Sequence, residues 1–397
     1  MTATVVPSVW RLWERMKLSV SVPSSPALPV PPSLSPVLRL FEIGSAPSAG
    51  ALYPYEHIVL VGDSLYSVDP GRRRCRLLHA GQSVRLALIR SGLGDADALV
   101  FVVVRPWLSM RKYGDRGYLY CLLDAAHVAT HLLCVGSESF SSAALRTRAR
   151  TRPFADLLDL RHSFVHSVLS LSGALGFACS SQWSCADDRD ASNDMVSWLE
   201  EECWNSLAPF LAPGLGRTLP VHRAPLLPGL PPDFPSLSSL AASRRSTKDF
   251  SPGGCAVDSV VDALRIPLTT DLDPFAVVDA SVVTGFSGDD LVRYCMGQEH
   301  LRHASSAVLF HADRTVLLDD LNGAVFRAGA LAHLLYLGAT AADVGVTAIG
   351  GFDADRWRSA AGLPVSHDVL YVALLGRPGG AAVKVDRLQR AHAHNER

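Results

Sequence analysis

"CLLDAAHVATHLLCVG" (residues 121–136) and "RAGALAHLLYLGATAADVG" (residues 327–345) decide how this chain is read. Both are of helix length and apolar nearly all round, the pattern of a helix buried on every side. Each follows a β-branched, strand-like run: "ALVFVVV" (98–104) before the first, "AVLFHAD" (307–313) before the second. A strand followed by a buried helix thus occurs twice, which reads as two copies of one α+β unit; two convergent α/β domains are the alternative. Two related units in one chain imitate the two-fold symmetry of a homodimer. The expected fold class is α+β, with buried helices over 117–136 and 322–345.

Working outward, "EHIVLVG", "FVHSVLSLSG", "FAVVDASVVTG" and "VLYVALLG" are further strand candidates, and "VDSVVDALR" is a short helix. The stretch "VSVPSSPALPVPPSLSP" (20–36) is Pro/Ser-rich and reads as an extended lead-in. A second break carries "ADDRDASND", a helix candidate "MVSWLEEECWNSLAPFL", and then "APLLPGLPPDFPSLSSL", whose prolines forbid a regular helix or central strand. The expected layout is a lead-in at 1–36, a first unit at 37–179, a linker at 180–242, a second unit at 243–380 and a tail at 381–397.

The bulk properties narrow the function classes. The 397 residues carry a net charge of −1, with 48% hydrophobic and 19% charged residues. No basic excess points to nucleic acid or an anionic membrane surface. No apolar run approaches the ~18 residues of a membrane span, and the N-terminus lacks the order of a signal peptide, so a cytoplasmic protein is expected. The eight cysteines are scattered without a C-x-x-C pair and read as reduced, mostly buried thiols. The histidines show no H-E-x-x-H spacing, and no metal is expected.

Four stretches carry candidate chemistry. In "SRRSTKDF" (243–250), Arg244, Arg245, Ser246 and Lys248 place three cations and a hydroxyl within five residues. Arg244, Ser246 and Lys248 face one way if the segment is extended, which suits a phosphate; a basic surface run is the plainer alternative. In "VTAIGGFDADRW" (346–357), Gly350 and Gly351 let backbone approach a flat ligand closely, or simply make a tight turn. In "PSAGALYP" (47–54), Pro47, Ser48, Ala49 and Gly50 offer backbone donors and a hydroxyl without bulk. In "RKYGDRGY" (111–118), Lys112 favours ionisation of its neighbour Tyr113, and such a pair can take a proton from a weakly acidic carbon. The alternative is an exposed Lys beside a packed Tyr.

In combination, "PSAGALYP", "LYSVDP", "KYGDRGY" and "DAAHVATHLL" resemble the SagB-type azoline dehydrogenases, flavoproteins of the nitroreductase-like superfamily. "RRSTKDF" resembles the superfamily's phosphate-binding start, and "AIGGFD" with "LYVALLGRP" its C-terminal signature. The likeness covers roughly residues 40–175 and 243–380. Asp124 stands where an acidic residue is usual; Ala126 departs from the usual glycine before His127. The resemblance implies a nitroreductase-like fold, here two tandem units forming a single-chain pseudo-dimer with FMN at the interface. The first unit keeps the P-S-A-G turn and the Lys-Tyr pair, the second the R-R-S-T-K start and the I-G-G-F loop. The two sets are complementary and imply one complete FMN site.

The activity implied is oxidation of a thiazoline or oxazoline, in a ribosomally made peptide, to the aromatic azole. FMN takes the hydride and Tyr113, assisted by Lys112, takes the proton. Molecular oxygen is the expected acceptor for the reduced flavin, because no G-x-G-x-x-G nicotinamide fingerprint is present. The implied partners are an azoline-containing precursor peptide and the ATP-dependent cyclodehydratase that makes the azolines. Two rival readings stay open at this point: an FMN oxidoreductase acting on a small or carrier-bound metabolite, and a flavin-free pseudoenzyme scaffold in a peptide-modifying complex.

Overall fold

The computed structural model describes residues 29–93, 96–147, 198–207, 235–269, 278–379 and 383–384, and, within 152–186, residues 152–154, 157–158, 160, 162–176, 179 and 182–186. The first half runs α1 (Ser35–Leu40), β1 (Tyr55–Val61), β2 (Ser64–Asp69), β3 (Arg74–Ala80), α2 (Gln82–Ser91), β4 (Ala98–Val104), α3 (Trp107–Tyr113), α4 (Arg116–Ser139), β5 (Phe140–Arg146), β6 (Phe164–Ala174), β7 (Ser184–Ala186) and α5 (Trp198–Leu207). The second half runs α6 (Leu237–Ser243), β8 (Ser246–Thr247), α7 (Val257–Thr269), β9 (Asp279–Thr284), α8 (Gly288–Tyr294), β10 (Ser306–Asp313), α9 (Arg314–Ala341), β11 (Gly345–Ile349), α10 (Ala354–Ala360), β12 (His367–Gly376) and β13 (Val383–Lys384).

The first sheet has the order β5-β6-β4-β1-β2-β3-β7 and the second β11-β12-β10-β9; β13 and β8 form a separate ribbon. The second sheet repeats the order β5-β6-β4-β1 strand for strand, and in both sheets these pairings are antiparallel. In both, a long helix follows the strand in the third position of that order, α4 after β4 (with α3 between) and α9 directly after β10.

Both sheets turn one face to a common core. Ala98, Val100, Val102 and Val104 of β4 point into it, as do Val308, Phe310 and Ala312 of β10. The opposite faces are covered too: Leu99, Phe101 and Val103 pack with Val84, Ala87 and Phe154, while Ala307 and Leu309 pack with Leu291, Phe352 and Trp357. Strands buried on both faces have no reason to alternate apolar with polar, which is why "ALVFVVV" reads as an unbroken run.

Between the sheets, α4 and α9 cross. A Cβ built on Gly329 would lie 2.6 Å from Ala126 Cβ and 3.1 Å from the Leu123 carbonyl oxygen. The backbones touch there, so the absent side chain sets the helix separation. The expected helix over 322–345 begins after a break: Asp320 leaves the helical region at φ −148°, and its carboxylate accepts from Gly323 N at 2.8 Å. Contrary to the hydropathy reading, α4 and α9 are long and apolar enough to cross a membrane by length and composition. Most of each is buried inside the fold. The run was missed because Asp124 and three histidines interrupt the apolar residues without exposing either helix.

Three stretches differ from the expected layout. The lead-in to residue 36 ends in core: Leu34 is buried and α1 begins at Ser35, so its last residues are not a free extension. Ser184–Ala186, placed in the linker by sequence, pairs in parallel with Arg74–Arg76 as the seventh strand of the first sheet. Val383–Lys384, placed in the tail, pairs with Ser246–Thr247. Much of the expected linker (187–197 and 208–234) lies outside the described residues.

Three histidines lie at the helix crossing. His127 and His131 on α4 and His333 on α9 are buried, with the His131 and His333 ring centroids 5.6 Å apart and those of His127 and His333 5.7 Å apart. Burial, reinforced by the charge of Arg244, pushes His127 down to about 3 and His131 to about 4. Burial and the neighbouring His131, His127 and Arg244 hold His333 well below its ordinary value. All three are neutral when folded, whereas the unfolded chain takes up protons at about pH 6.5. The unfolded state therefore binds more protons below that pH, and stability falls as pH drops from about 6.5 towards 4. Urea unfolding measured across this window is expected to show the decline. Replacing His131 by Leu is expected to flatten it, and an unchanged slope would place the acid sensitivity elsewhere.

Candidate functional site

The P-S-A-G segment forms a tight loop between α1 and β1. Its backbone turns left-handed at Gly50 (φ 63°), Ala51 (φ 56°) and Tyr53 (φ 46°). Only the first of these is a glycine, so the loop carries strain that its surroundings must hold. Asp124 of α4 does so. Its buried carboxylate accepts the Ser48 hydroxyl at 2.6 Å and the Ala49 N–H at 3.1 Å, and Ser48 Oγ accepts the Tyr53 N–H at 2.8 Å. The acidic residue that sequence notes only as usual is thus the anchor of the loop.

Lys112 and Tyr113 close α3, which Gly114 ends with φ 59°. A Cβ on Gly50 would lie 2.4 Å from Tyr113 Oη and 2.7 Å from Lys112 Nζ. The glycine is therefore what lets the loop lie against both groups. Lys112 is exposed and Tyr113 half-buried, with Nζ 5.1 Å from the centre of the Tyr113 ring.

The Lys-Tyr segment also meets the Gly350–Gly351 loop. Tyr113 stacks edge-on against Tyr120 at 5.0 Å. A Cβ on Gly350 would lie 2.3 Å from the Tyr120 ring. Arg116 Nε donates to the Gly350 carbonyl at 2.9 Å and to Tyr120 Oη at 3.1 Å, and its guanidinium covers the Phe352 ring at 4.8 Å. Burial raises the Tyr120 phenol, with Arg116 acting against it. The second half holds its own loop through Gln298, whose Nε2 donates to the Gly351 carbonyl at 2.9 Å. Arg116, Tyr120 and Gln298 were not singled out by sequence; the only signal for the first two is their place in and just after "KYGDRGY".

Arg244 and Ser246 are buried, but Arg245 and Lys248 are exposed. The expectation that Arg244, Ser246 and Lys248 share a face therefore fails for Lys248: the extended segment is only the two residues Ser246–Thr247, and the chain bends after it. Arg244 Nη2 donates to the Ser45 carbonyl at 2.9 Å, Nη1 to Ser246 Oγ at 3.4 Å, and the guanidinium lies over the Tyr336 ring at 5.1 Å. Burial lowers Arg244 to about 10, so it stays charged at neutral pH. Arg245 Nη1 donates to the carbonyls of Ala242 and Arg244. Ser246 Oγ donates to Tyr336 Oη at 3.3 Å, which in turn accepts the Ala348 N–H at 2.8 Å. One polar chain thus runs from Ser45, two residues ahead of Pro47, through Arg244, Ser246 and Tyr336 to Ala348, two residues ahead of Gly350.

All four sequence stretches are in contact, directly or through one side chain. Together with Tyr120 they offer small residues that lie flat, the paired rings of Tyr113 and Tyr120, and several cations. A buried guanidinium beside a hydroxyl, with the exposed ammonium of Lys248 two residues on, fits a phosphate-bearing group. The glycine loops on the other side fit a planar ring.

Residues 274–377 match the model of the nitroreductase family. Proteins of that family are oxidoreductases that generally depend on flavin. The structure resembles that of a putative nitroreductase from Anabaena variabilis, with a TM-score of 0.67 and 19% identity over 92% of this chain and 95% of that one. At that identity the likeness is one of fold. Shorter likenesses extend to nitroreductase A from Vibrio parahaemolyticus (TM-score 0.31, 22% identity, 36% of this chain and 66% of that one) and to the NADPH:FMN oxidoreductase from Vibrio harveyi (TM-score 0.30, 22% identity, 36% and 68%). No curated protein matches the sequence.

The Ser48–Asp124 contact gives a direct test of the anchored loop. Hydrogen bonds to a charged group contribute about 1.5–3 kcal/mol. Ser48→Ala and Asp124→Asn are each expected to lower urea stability by that order, and the double variant by clearly less than their sum. Additive losses would mean that the carboxylate does not hold the loop through Ser48.

Proposed function

We propose that the chain is a single-chain pseudo-dimer of nitroreductase-like units with one composite FMN site, and that it oxidises thiazolines or oxazolines of a precursor peptide to azoles. The repeated strand order and the pairing of α4 with α9 support the pseudo-dimer. When "HLLCVG" is set against "HLLYLG", His131 and His333 are equivalent, and their rings meet edge-on at 5.6 Å. The observation that carries the single site is that Gly50, Lys112 and Tyr113 of the first half meet Gly350 of the second through Tyr120.

In this reading Arg244 and Ser246 hold the phosphate from the buried side, and Lys248, left exposed by the bend, adds its charge from the solvent side. Pro47–Gly50 and Gly350–Gly351 bound the ring, and Arg245 lends charge at the edge. Bound FMN supplies a hydride acceptor. Tyr113 Oη takes the proton from the carbon next to the one that loses hydride, with Lys112 Nζ stabilising the phenolate. The geometry suits that division of work: both atoms lie beside Gly50, within 2.7 Å of where its Cβ would stand, and the lysine remains in water. Asp124 keeps the Ser48–Ala49 backbone in place while the peptide enters. The azolines come from an ATP-dependent cyclodehydratase, a second partner in this proposal, and molecular oxygen would be the final electron acceptor.

The test is anaerobic. Tyr113→Phe keeps the ring and its contact with Tyr120 and removes the ionisable hydroxyl. The variant is expected to stay folded and yellow, and to bleach with an azoline peptide about 10²–10⁴-fold more slowly than the parent, the usual share of a positioned base. Lys112→Ala is expected to act in the same direction, and the double variant to be little worse than the slower single one. Parent-like bleaching in Tyr113→Phe would remove Tyr113 from the mechanism. A colourless parent protein would remove the flavin.

A further inference from the structure

Away from the loops just described, the far end of the second sheet gathers three metal-ligating groups. Asp279 is the first residue of β9, His367 the first of β12, and His311 sits in β10 between them. Asp279 is the cross-strand partner of His311, and a register shift between Phe310 and His311 changes how β10 meets β12 at this point. His311 Nδ1 and His367 Nδ1 are 3.0 Å apart, and an Asp279 carboxylate oxygen lies within 4.8 Å of one ring nitrogen of each.

We propose that Asp279, His311 and His367 bind a divalent transition-metal cation of the Zn²⁺ class. The outer nitrogens carry the argument. His367 Nε2 faces the Asp313 carboxylate at 3.9 Å, and His311 Nε2 lies 2.8 Å from Ser281 Oγ. At that distance the carboxylate acts through its charge and not as a hydrogen-bond acceptor; the charge favours the His367 proton on Nε2, which leaves a lone pair on Nδ1. Ser281 allows the same tautomer in His311. With that tautomer in both rings, two Nδ1 lone pairs face each other at 3.0 Å and need a positive charge in reach of both; if Ser281 instead donates to His311 Nε2, a neutral Nδ1–H···Nδ1 hydrogen bond joins the rings. A single shared proton satisfies it, and so does a metal ion. The metal gains a third ligand in Asp279, and carboxylate or hydroxyl partners behind both imidazoles are the usual outer shell of a zinc site. Bonds of about 2.0–2.1 Å to a tetrahedral cation put neighbouring ligand atoms ~3.3 Å apart. The imidazole pair is close to that separation, and the exposed Asp279 is free to swing in. Two imidazoles with one carboxylate suit Zn²⁺ and its neighbours; Ca²⁺ and Mg²⁺ ask for more oxygens. Three protein ligands leave one position for water.

The cation would tie three adjacent strands together at one end. It is separate from the phosphate end of the flavin reading, because the segment that pairs with the phosphate-binding start, Arg377–Gly379, lies beyond the other end of β12. A ligand that binds only the folded chain raises its stability.

The test uses the full chain stripped with chelator and then titrated with Zn²⁺ and, for its spectrum, Co²⁺. The expected result is one Zn²⁺ per chain by calorimetry and a higher melting temperature. The cobalt spectrum should lack thiolate charge-transfer bands, although eight cysteines are present. His367→Asn is expected to abolish the shift, and Asp279→Asn to weaken binding at least about tenfold. Flavin content is expected to be the same in all three proteins. Metal-free melting of each variant reports whether it folds; should His367→Asn unfold, the exposed Asp279→Asn decides. No shift with Zn²⁺ would leave the pair as a simple hydrogen bond and overturn the proposal. An equal shift in parent and Asp279→Asn would overturn it as well, as would thiolate bands in the cobalt spectrum.

Discussion

The contact between Gly329 and Ala126 is the constraint on which the rest of the structure depends. It brings α4 and α9 to backbone distance and sets how the two sheets share one core. It also fixes where the loops at the helix ends meet. Asp124, two residues before the crossing, holds the P-S-A-G loop. Tyr120 and Arg116, at the start of the same helix, hold the Gly350 loop of the other half. A larger side chain at the crossing would separate groups that belong to neither half alone. Overpacking of this kind typically costs about 1–3 kcal/mol, and here the displacement would also reach the loops.

The polar path from Ser45 through Arg244, Ser246 and Tyr336 to Ala348 complements that apolar contact. It crosses between halves inside the protein, where each hydrogen bond is electrostatically stronger than in water and each lost partner is costly. Arg244 stays charged while buried, yet spends donors on a backbone carbonyl. Its structural role and its proposed role toward a phosphate rest on the same guanidinium. The C-terminal Val383–Lys384 strand pairs with Ser246–Thr247 and adds backbone support to that segment.

Much of this was legible in the sequence. Strands buried on both faces write unbroken apolar runs, and helices buried all round write apolar stretches with small residues. The two halves announce themselves for that reason. The glycines and the Lys-Tyr pair could be quoted as motifs, because tight approach and paired polar groups leave a local mark. Their mutual contacts could not be read. They join residues more than two hundred positions apart, as Arg116 and Gly350 do. Lys248 leaves the buried face because the strand that was to carry it lasts two residues. The three-residue strand β7 is too short for any periodicity. The Asp279–His311–His367 group has no spacing motif, since a cross-strand register and not a helix turn assembles it.

In the proposed function, both halves build one composite flavin site. Its most direct measurement is the amount of FMN released from the denatured, purified chain, relative to protein. The account predicts about one FMN per chain. Two per chain would mean that each half builds a site of its own, and none would mean that the converging loops hold no flavin; either result would contradict it.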